Sequence, residues 1–345
     1  MSSVQSLFPH LRGLPPTPND SLRGTPARRA GSVRRTSTID MVWPGGFGTP
    51  LHLVGRARDL LTPLAGEPRI LAEAEMRVGM AQYRTVSSIE VTPHRAGIAG
   101  LLGAVGGSEL RSAIDRALPG EREAATPLHL LLDDVAGASL ISGFAWSRAR
   151  PELREALRRE VATQGGPIAS MRKGKVICSG LRPNGWADTH WKHEMNPGHG
   201  VVPAGELCLS DDPLAWHAFP PDPEVGMRRH RRIDVWRKDG MLVVDAFFRD
   251  ACWEPDGTQL ALHEYSVAAE VAASDLTLVT VQTTPRALPF PECRWAAPNA
   301  ERLVGMPVKG FRTTVQETLT QLEACTHLND MLRCLAEVPA LIQSL

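Results

Sequence analysis

Two stretches of this 345-residue chain begin alike: Arg34 opens "RRTSTIDMVW" and Arg228 opens "RRHRRIDVWR". An internal repeat constrains a fold more than any local propensity, because each copy must be one unit that packs on its neighbour. The likeness continues along the chain. After each Ile-Asp comes a Gly-containing turn, "PGGFGTP" or "RKDG", and then an apolar strand ending in Arg-Asp at Asp59 and Asp250, so both copies open with a hairpin. Next come "RTVSSIEVTP" and "SDLTLVTVQTTP", β-rich runs closed by Pro93 and Pro285, and proline cannot donate to a ladder. A glycine then precedes a helical pattern in each, aligning Gly103 with Gly305 and Arg111 with Arg312, and "TPLHLLLDDVAG" falls where "CTHLNDMLRCLAEV" falls. The order predicts an α+β fold: two diverged copies of a strand-hairpin-plus-helices unit packed as a pseudo-dimer, with a long inserted loop between them. The boundaries are a tail over 1–33, a first repeat over 34–150, an insertion over 151–227 and a second repeat over 228–345.

The copies differ where chemistry would sit. Between its proline and its glycine the second copy carries additional residues holding "LPFPECRW" with Cys293; the first goes directly through "HRAGIAGLL". Thr126 stands where the second copy has Cys325, and Leu128 where it has His327. Joint absence of Cys293, Cys325 and His327 is explained by the loss of one shared site. A cysteine just before a helix meets the positive end of the helix dipole, which favours thiolate, the form that ligates metal or attacks carbon. Cys325, His327 and Cys293, with a fourth ligand from Asp330, from His263 in "LHEY" or from water, would suit tetrahedral zinc, or an iron site. The alternative is packing: Asp330 as a helix-face charge, His263 as a hydrogen-bonded strand histidine, Cys334 on an apolar stripe with Met331 and Leu335, and Cys252 against Trp253.

The balance of 38 basic and 38 acidic residues selects neither nucleic acid nor an anionic membrane as partner. No run of about 20 apolar residues appears, and the six cysteines are too sparse for a secreted disulfide scaffold, so the expectation is a cytoplasmic protein. Residues 1–33 are interrupted by Pro, Gly and Ser, and no aromatic interleaves their arginines, which predicts a disordered tail without a nucleic-acid role. In the insertion, "PELREALRREVATQGG" reads as an amphipathic helix. Beyond it, His190, His193, His199 and His217 with Trp186, Trp191 and Trp216 predict an ordered loop or lid, since disordered segments are poor in aromatics.

No phosphate-binding glycine loop and no Gly-x-Ser-x-Gly elbow is present. Two function classes follow. One is a metal- or thiolate-dependent lyase or hydrolase acting on a small organic substrate, with Cys325, His327, Asp330 and His193 as catalytic candidates, Cys293, Cys325, His327 and His263 as metal ligands, and the 186–217 loop as cover. The other is a non-catalytic metal-binding, carrier or scaffold protein. Either would be a monomeric pseudo-dimer or a homodimer.

Taken together, "RRHRRIDV", "DGMLVVDAFFRD", "LHEYSVAAEV", "PFPEC", "NAERLVGMPVKGF" and "ACTHLNDML" resemble a bacterial domain family of unknown function, number 2889, over about residues 228–340. That resemblance implies no activity. The order of a strand run, a loop cysteine, a helix and a late cysteine opening a last helix is also similar to the U-type iron–sulfur scaffold proteins. There Cys293 and Cys325 would hold zinc or a cluster, with two cysteines where those proteins usually show three.

Overall fold

The centre of the fold is built from its least apolar strands. Strand β1 (Ser32–Val42) reads SVRRTSTIDMV, yet ten of its eleven residues are buried, so both its faces must be covered. It pairs antiparallel with β6 (Gly226–Lys238), setting Arg34 opposite Asp234 and Asp40 opposite Arg228. Each arginine finds its carboxylate across the strand pair: Arg34 Nε donates to Asp234 Oδ1 at 2.6 Å and Arg228 Nε to Asp40 Oδ1 at 2.5 Å. Without that pairing, burying these charges would cost several kcal/mol each, roughly. The computed structural model describes residues 20–153, 159, 176–188, 200–208 and 211–345.

Outward from the β1–β6 pair the sheet repeats itself. On one side lie β2 (Leu51–Thr62), β3 (Arg69–Ala81) and β4 (Thr85–Thr92); on the other β7 (Met241–Trp253), β8 (Gln259–Ala272) and β9 (Leu278–Ala287). The short β5 (Val202–Pro203) shares the outer edge of β8 with β9, and every pairing is antiparallel. The expected hairpins are present, the second turning at Asp239 and Gly240, both with positive φ. Pro93 falls just past β4 as expected. Pro285 instead lies inside β9, opposite Tyr265, where an edge strand tolerates a missing donor.

Strand alternation divides the residues between two faces. Val33, Ile39 and Met41 of β1, with Ile233 and Val235 of β6, face the helices: α1 (Ser108–Ala117), α2 (Pro127–Ile141), α3 (Phe144–Ala149), α4 (Phe311–Thr318), α5 (Thr326–Arg333) and α6 (Val338–Leu341). Two apolar clusters fill this layer, one around Ile39, Leu53, Met76 and Leu131, the other around Ile233, Phe248, Tyr265 and Leu328. The stretch Pro127–Ala149 has the length and hydropathy to cross a membrane, but 72% of it is buried within the fold, as in a core helix.

The second face carries Thr36 and Thr38, whose hydroxyls bond the two ring nitrogens of His217 at 2.9 and 2.8 Å. Trp216, Phe247 and Leu207 pack there. The described segment before β1 also covers this face, which corrects the disorder expected over 1–33 for residues 20–33. Ser21 Oγ and Leu22 N donate to Glu264 at 2.7 and 2.5 Å, and Arg28 pairs with Asp212 at 2.9 Å. The reason is electrostatic: Glu264 and Arg249 are fully buried, and the tail supplies polar groups that complete their shell. Residues 1–19 lie outside the described residues.

Candidate metal centre

His263 and Tyr265 are two positions apart on β8, so both project from its helix-bearing face. Helix α5 begins above them, with Cys325 as its N-cap and His327 in its first turn. One ligand atom from each of His263, Cys325 and His327 lies within 4.8 Å of the others, and all three residues are buried. The two imidazoles stack, with centroids 3.5 Å apart and planes at 15°. Asp250, the strand partner of His263, places Oδ2 3.5 Å from His327 Nε2 and is itself gripped by Arg229 through two hydrogen bonds of 2.9 Å. A carboxylate behind a ligating histidine fixes the ring's orientation.

Burial sets the protonation states. It pushes the His327 pKa down to about 3, with Arg229 adding to the effect against Asp330. His263 is lowered too, first by burial and then by His327. Both imidazoles are therefore neutral, the form that binds a metal. Burial raises the Cys325 thiol, against the lowering effect of Tyr265 and the amides of Leu328 and His327. This corrects the expected free thiolate: desolvation outweighs the helix start, and a metal ion would be needed to remove the proton. The Tyr265 hydroxyl is directed at Cys325 but makes no hydrogen bond of regular geometry, and His263 Nδ1 has none either. Among the described residues the buried His263 Nδ1 is a polar atom that a ligand would satisfy.

Residues 227–341 match a family described as a protein of unknown function, DUF2889. No curated protein and no solved structure matches the chain. The DUF2889 segment holds His263, Cys293, Cys325 and His327, and Cys293 lies near enough to Cys325 for the charge of one to raise the other's pKa. A second cysteine neighbour comes from outside it. Cys178 precedes the turn Ser179–Leu181, which packs on the turn Pro291–Trp295 so tightly that a Cβ at Gly180 would sit 2.4 Å from Cys293 Sγ. Ser179 N donates to Ala324 O at 2.9 Å, and Cys178, pushed to about 12 chiefly by burial, senses Cys325. Sequence reasoning missed Cys178 and Tyr265. Nothing in "ICSG" distinguishes Cys178, whereas Tyr265 was reachable from the period of two in "LHEY".

Other expectations resolve differently. Asp330, the expected proton carrier or helix-face charge, is buried and ion-paired: it meets Arg229 and Arg333 at 3.2 Å and Arg111 at 3.5 Å. Burial would raise its pKa, but these arginines hold it below the usual carboxylate range. Cys334 and Cys252 are buried in the two apolar clusters, as the packing alternative expected. His193, with His190, His199 and Trp191, lies outside the described residues. The expected cover divides: Trp186 N donates to Glu292 at 2.8 Å on the Cys293 side, while His217 and Trp216 sit on the opposite face of the sheet.

Asp330 belongs to a larger buried assembly. Ion pairs link Arg35, Arg111, Arg229, Arg231, Arg312 and Arg333 with Asp59, Asp133, Asp134, Asp250, Asp330 and Glu337. Asp133 alone accepts from Arg111 at 2.8 Å, Arg312 at 2.5 Å and Arg333 at 2.6 Å. The six cations and six anions tie both halves of the helix layer to the sheet behind the candidate centre.

Proposed function

We propose that the second half carries a metal-dependent active site of lyase or hydrolase type for a small organic substrate, and that the first half is a diverged copy without it. The observation that carries this reading is the convergence of two neutral imidazoles and one thiol within 4.8 Å. Nitrogen and sulfur donors suit zinc or ferrous iron, with the fourth tetrahedral position open to water or substrate, since Cys293 stands outside the cluster of three donors. His263 Nδ1, buried and without a hydrogen-bond partner among the described residues, fits such a group, since a buried polar atom without a partner is costly. A bound zinc or iron would act there as a Lewis acid. Asp250, held by Arg229, would orient His327; Tyr265 would offer a proton donor beside Cys325.

Support for the duplication comes from register. Asp59 opposes Ala72 as Asp250 opposes His263, and Ala57 opposes Ala74 as Phe248 opposes Tyr265. Isolated bridges Thr85–Val105 and Thr277–Pro307 recur at matching places. Every donor position of the second half is thereby apolar or a plain helix cap in the first.

Full burial of the three donors favours one second reading, a structural metal or cluster in a non-catalytic scaffold, for which Cys178 would supply the third cysteine. Elemental analysis of protein purified without added metal, with its visible spectrum, tests both. We expect about one zinc or iron per chain and its loss in Cys325→Ser. Strong visible absorbance from several irons would favour the cluster. Wild-type protein that holds no metal and takes up neither Zn(II) nor Fe(II) would sink both readings.

A further inference from the structure

A cavity of about 380 Å³ lies beside the candidate centre, walled by both halves of the chain. Ala324 and Thr326, which flank Cys325, form part of its wall, as does Ile177, the neighbour of Cys178. Thr326 Oγ1 is also 3.3 Å from His327 Nδ1, so one side chain touches both the cavity and the imidazole. Across from these stand Arg84, Arg111 and Arg333, with Asp330 as the single carboxylate in the lining.

The charges do not cancel there. Arg111, Arg333 and Asp330 belong to the balanced assembly of six arginines and six carboxylates. Arg84 does not: among the described residues no carboxylate lies within ion-pair distance of it. Its Nε donates to Ser139 Oγ at 3.2 Å, and one Nη donates to the carbonyls of Ala136, at 3.1 Å, and Gly106. Burial, with Arg111 nearby, lowers its pKa to about 10, so it remains a cation at neutral pH. The backbone is shaped to hold it. Tyr83 and Arg84 both have φ of 58°, a conformation that side chains avoid unless the surroundings enforce it. Gly106 leaves room for it, since a Cβ there would lie 3.0 Å from Arg84 Nη2 and 3.1 Å from Ser139 Oγ. An oriented, partly desolvated cation facing an open cavity is the arrangement that binds an oxyanion.

We propose that this cavity binds the carboxylate of a small organic acid on Arg84, with the rest of the molecule directed along Thr326 toward the candidate metal centre. The substrate class rests on the reading of that centre as an active site; the anion site itself stands on the cavity and on the one unbalanced arginine. A monocarboxylate matches the single excess charge, whereas a phosphate dianion exceeds it.

Titration calorimetry on the full chain tests this with propanoate, propanamide and inorganic phosphate. Propanoate should bind measurably, propanamide at least tenfold more weakly, and phosphate no better than propanoate. Arg84→Gln should weaken propanoate at least tenfold while leaving metal content unchanged. Gln316→Glu, which sets a carboxylate in the exposed part of the same wall, should weaken it severalfold and decides the matter if Arg84→Gln does not fold. Cys325→Ser should lose metal yet keep propanoate, so failure of the metal reading and failure of the anion site are distinguishable. Absent propanoate binding, equal binding of propanamide, tighter binding of phosphate, or wild-type affinity in whichever of Arg84→Gln and Gln316→Glu fold would overturn the proposal.

Discussion

The two corners where a helix starts over the sheet share a frame and differ in what the frame holds. In the first half Arg35 clasps Asp59 through paired bonds of 2.6 Å; in the second Arg229 clasps Asp250 through paired bonds of 2.9 Å. Around the first pair stand Ala72, Ala74, Thr126 and Leu128, and around the second His263, Tyr265, Cys325 and His327. The helix caps make the contrast physical. Thr126 accepts a hydrogen bond from His129 N at 3.0 Å, as a cap should, whereas Cys325 makes no side-chain cap bond at all. The second corner thus has a cluster of donors where the first has a cap hydrogen bond, the arrangement that the proposed site needs.

The largest effect should come from the shared frame. Arg35→Ala leaves Asp59 buried without its cation and Glu337 with Arg312 alone, and Arg229→Ala leaves Asp250 buried without its cation. Each should cost about 3–5 kcal/mol in urea titrations. Metal content separates them: Arg35→Ala should leave it intact where the protein still folds, while Arg229→Ala should lower it by freeing Asp250 and His327. Equal metal loss in both would erase the distinction between the corners.

A second contrast lies on the opposite face. Glu264 opposes Arg249 in β8 and β7, and Glu73 opposes Arg58 at the matching register of β3 and β2. Only the first of these acids is buried and bound by the chain start, through Ser21 and Leu22; Glu73 is exposed. Glu264→Gln should therefore cost about 1–3 kcal/mol and Glu73→Gln less than about 0.5 kcal/mol. Deleting residues 1–30 should lower Tm by several degrees, where a disordered tail would leave it almost unchanged. A truncated protein melting with the wild type would mean that these contacts contribute nothing.

How much of this was legible in the chain depends on the kind of signal. Hairpins and the Thr126/Cys325 and Leu128/His327 differences follow from the recurrence of Arg-Arg, Ile-Asp and Arg-Asp pairs. What escaped was charge. Nothing in the sequence marks Arg34, Arg35, Arg228 and Arg229 for the interior, yet strand β1 pairing with β6 puts all four there, and the three-dimensional partners Asp234, Asp59, Asp40 and Asp250 make that tolerable. The same long-range pairing surrounds Asp330 with arginines and leaves Arg84, among the described residues, as the cavity arginine without a carboxylate partner.

The smallest effect on stability should accompany the largest on metal. Cys325→Thr installs in the second corner the residue that the first corner uses. A threonine at the N-cap can accept an amide bond that cysteine does not make, a gain of up to about 1 kcal/mol. Against this stands the loss of a buried sulfur from the apolar cluster that holds Leu328 and Met331, a change of about the same size. The net shift in urea titrations of metal-free protein should therefore stay within about 1 kcal/mol, while bound zinc or iron falls to background. Cys334→Ser, one helical turn from Asp330 and hydrogen-bonded through its thiol to that carbonyl at 3.2 Å, should show the reverse, retaining metal at a modest packing cost. If Cys325→Thr kept its metal, the donors would have to be Cys293, Cys178 and the histidines without it. If it lost several kcal/mol with no metal ever present, Cys325 would be a packing residue, and the two corners would differ only in how they fill space.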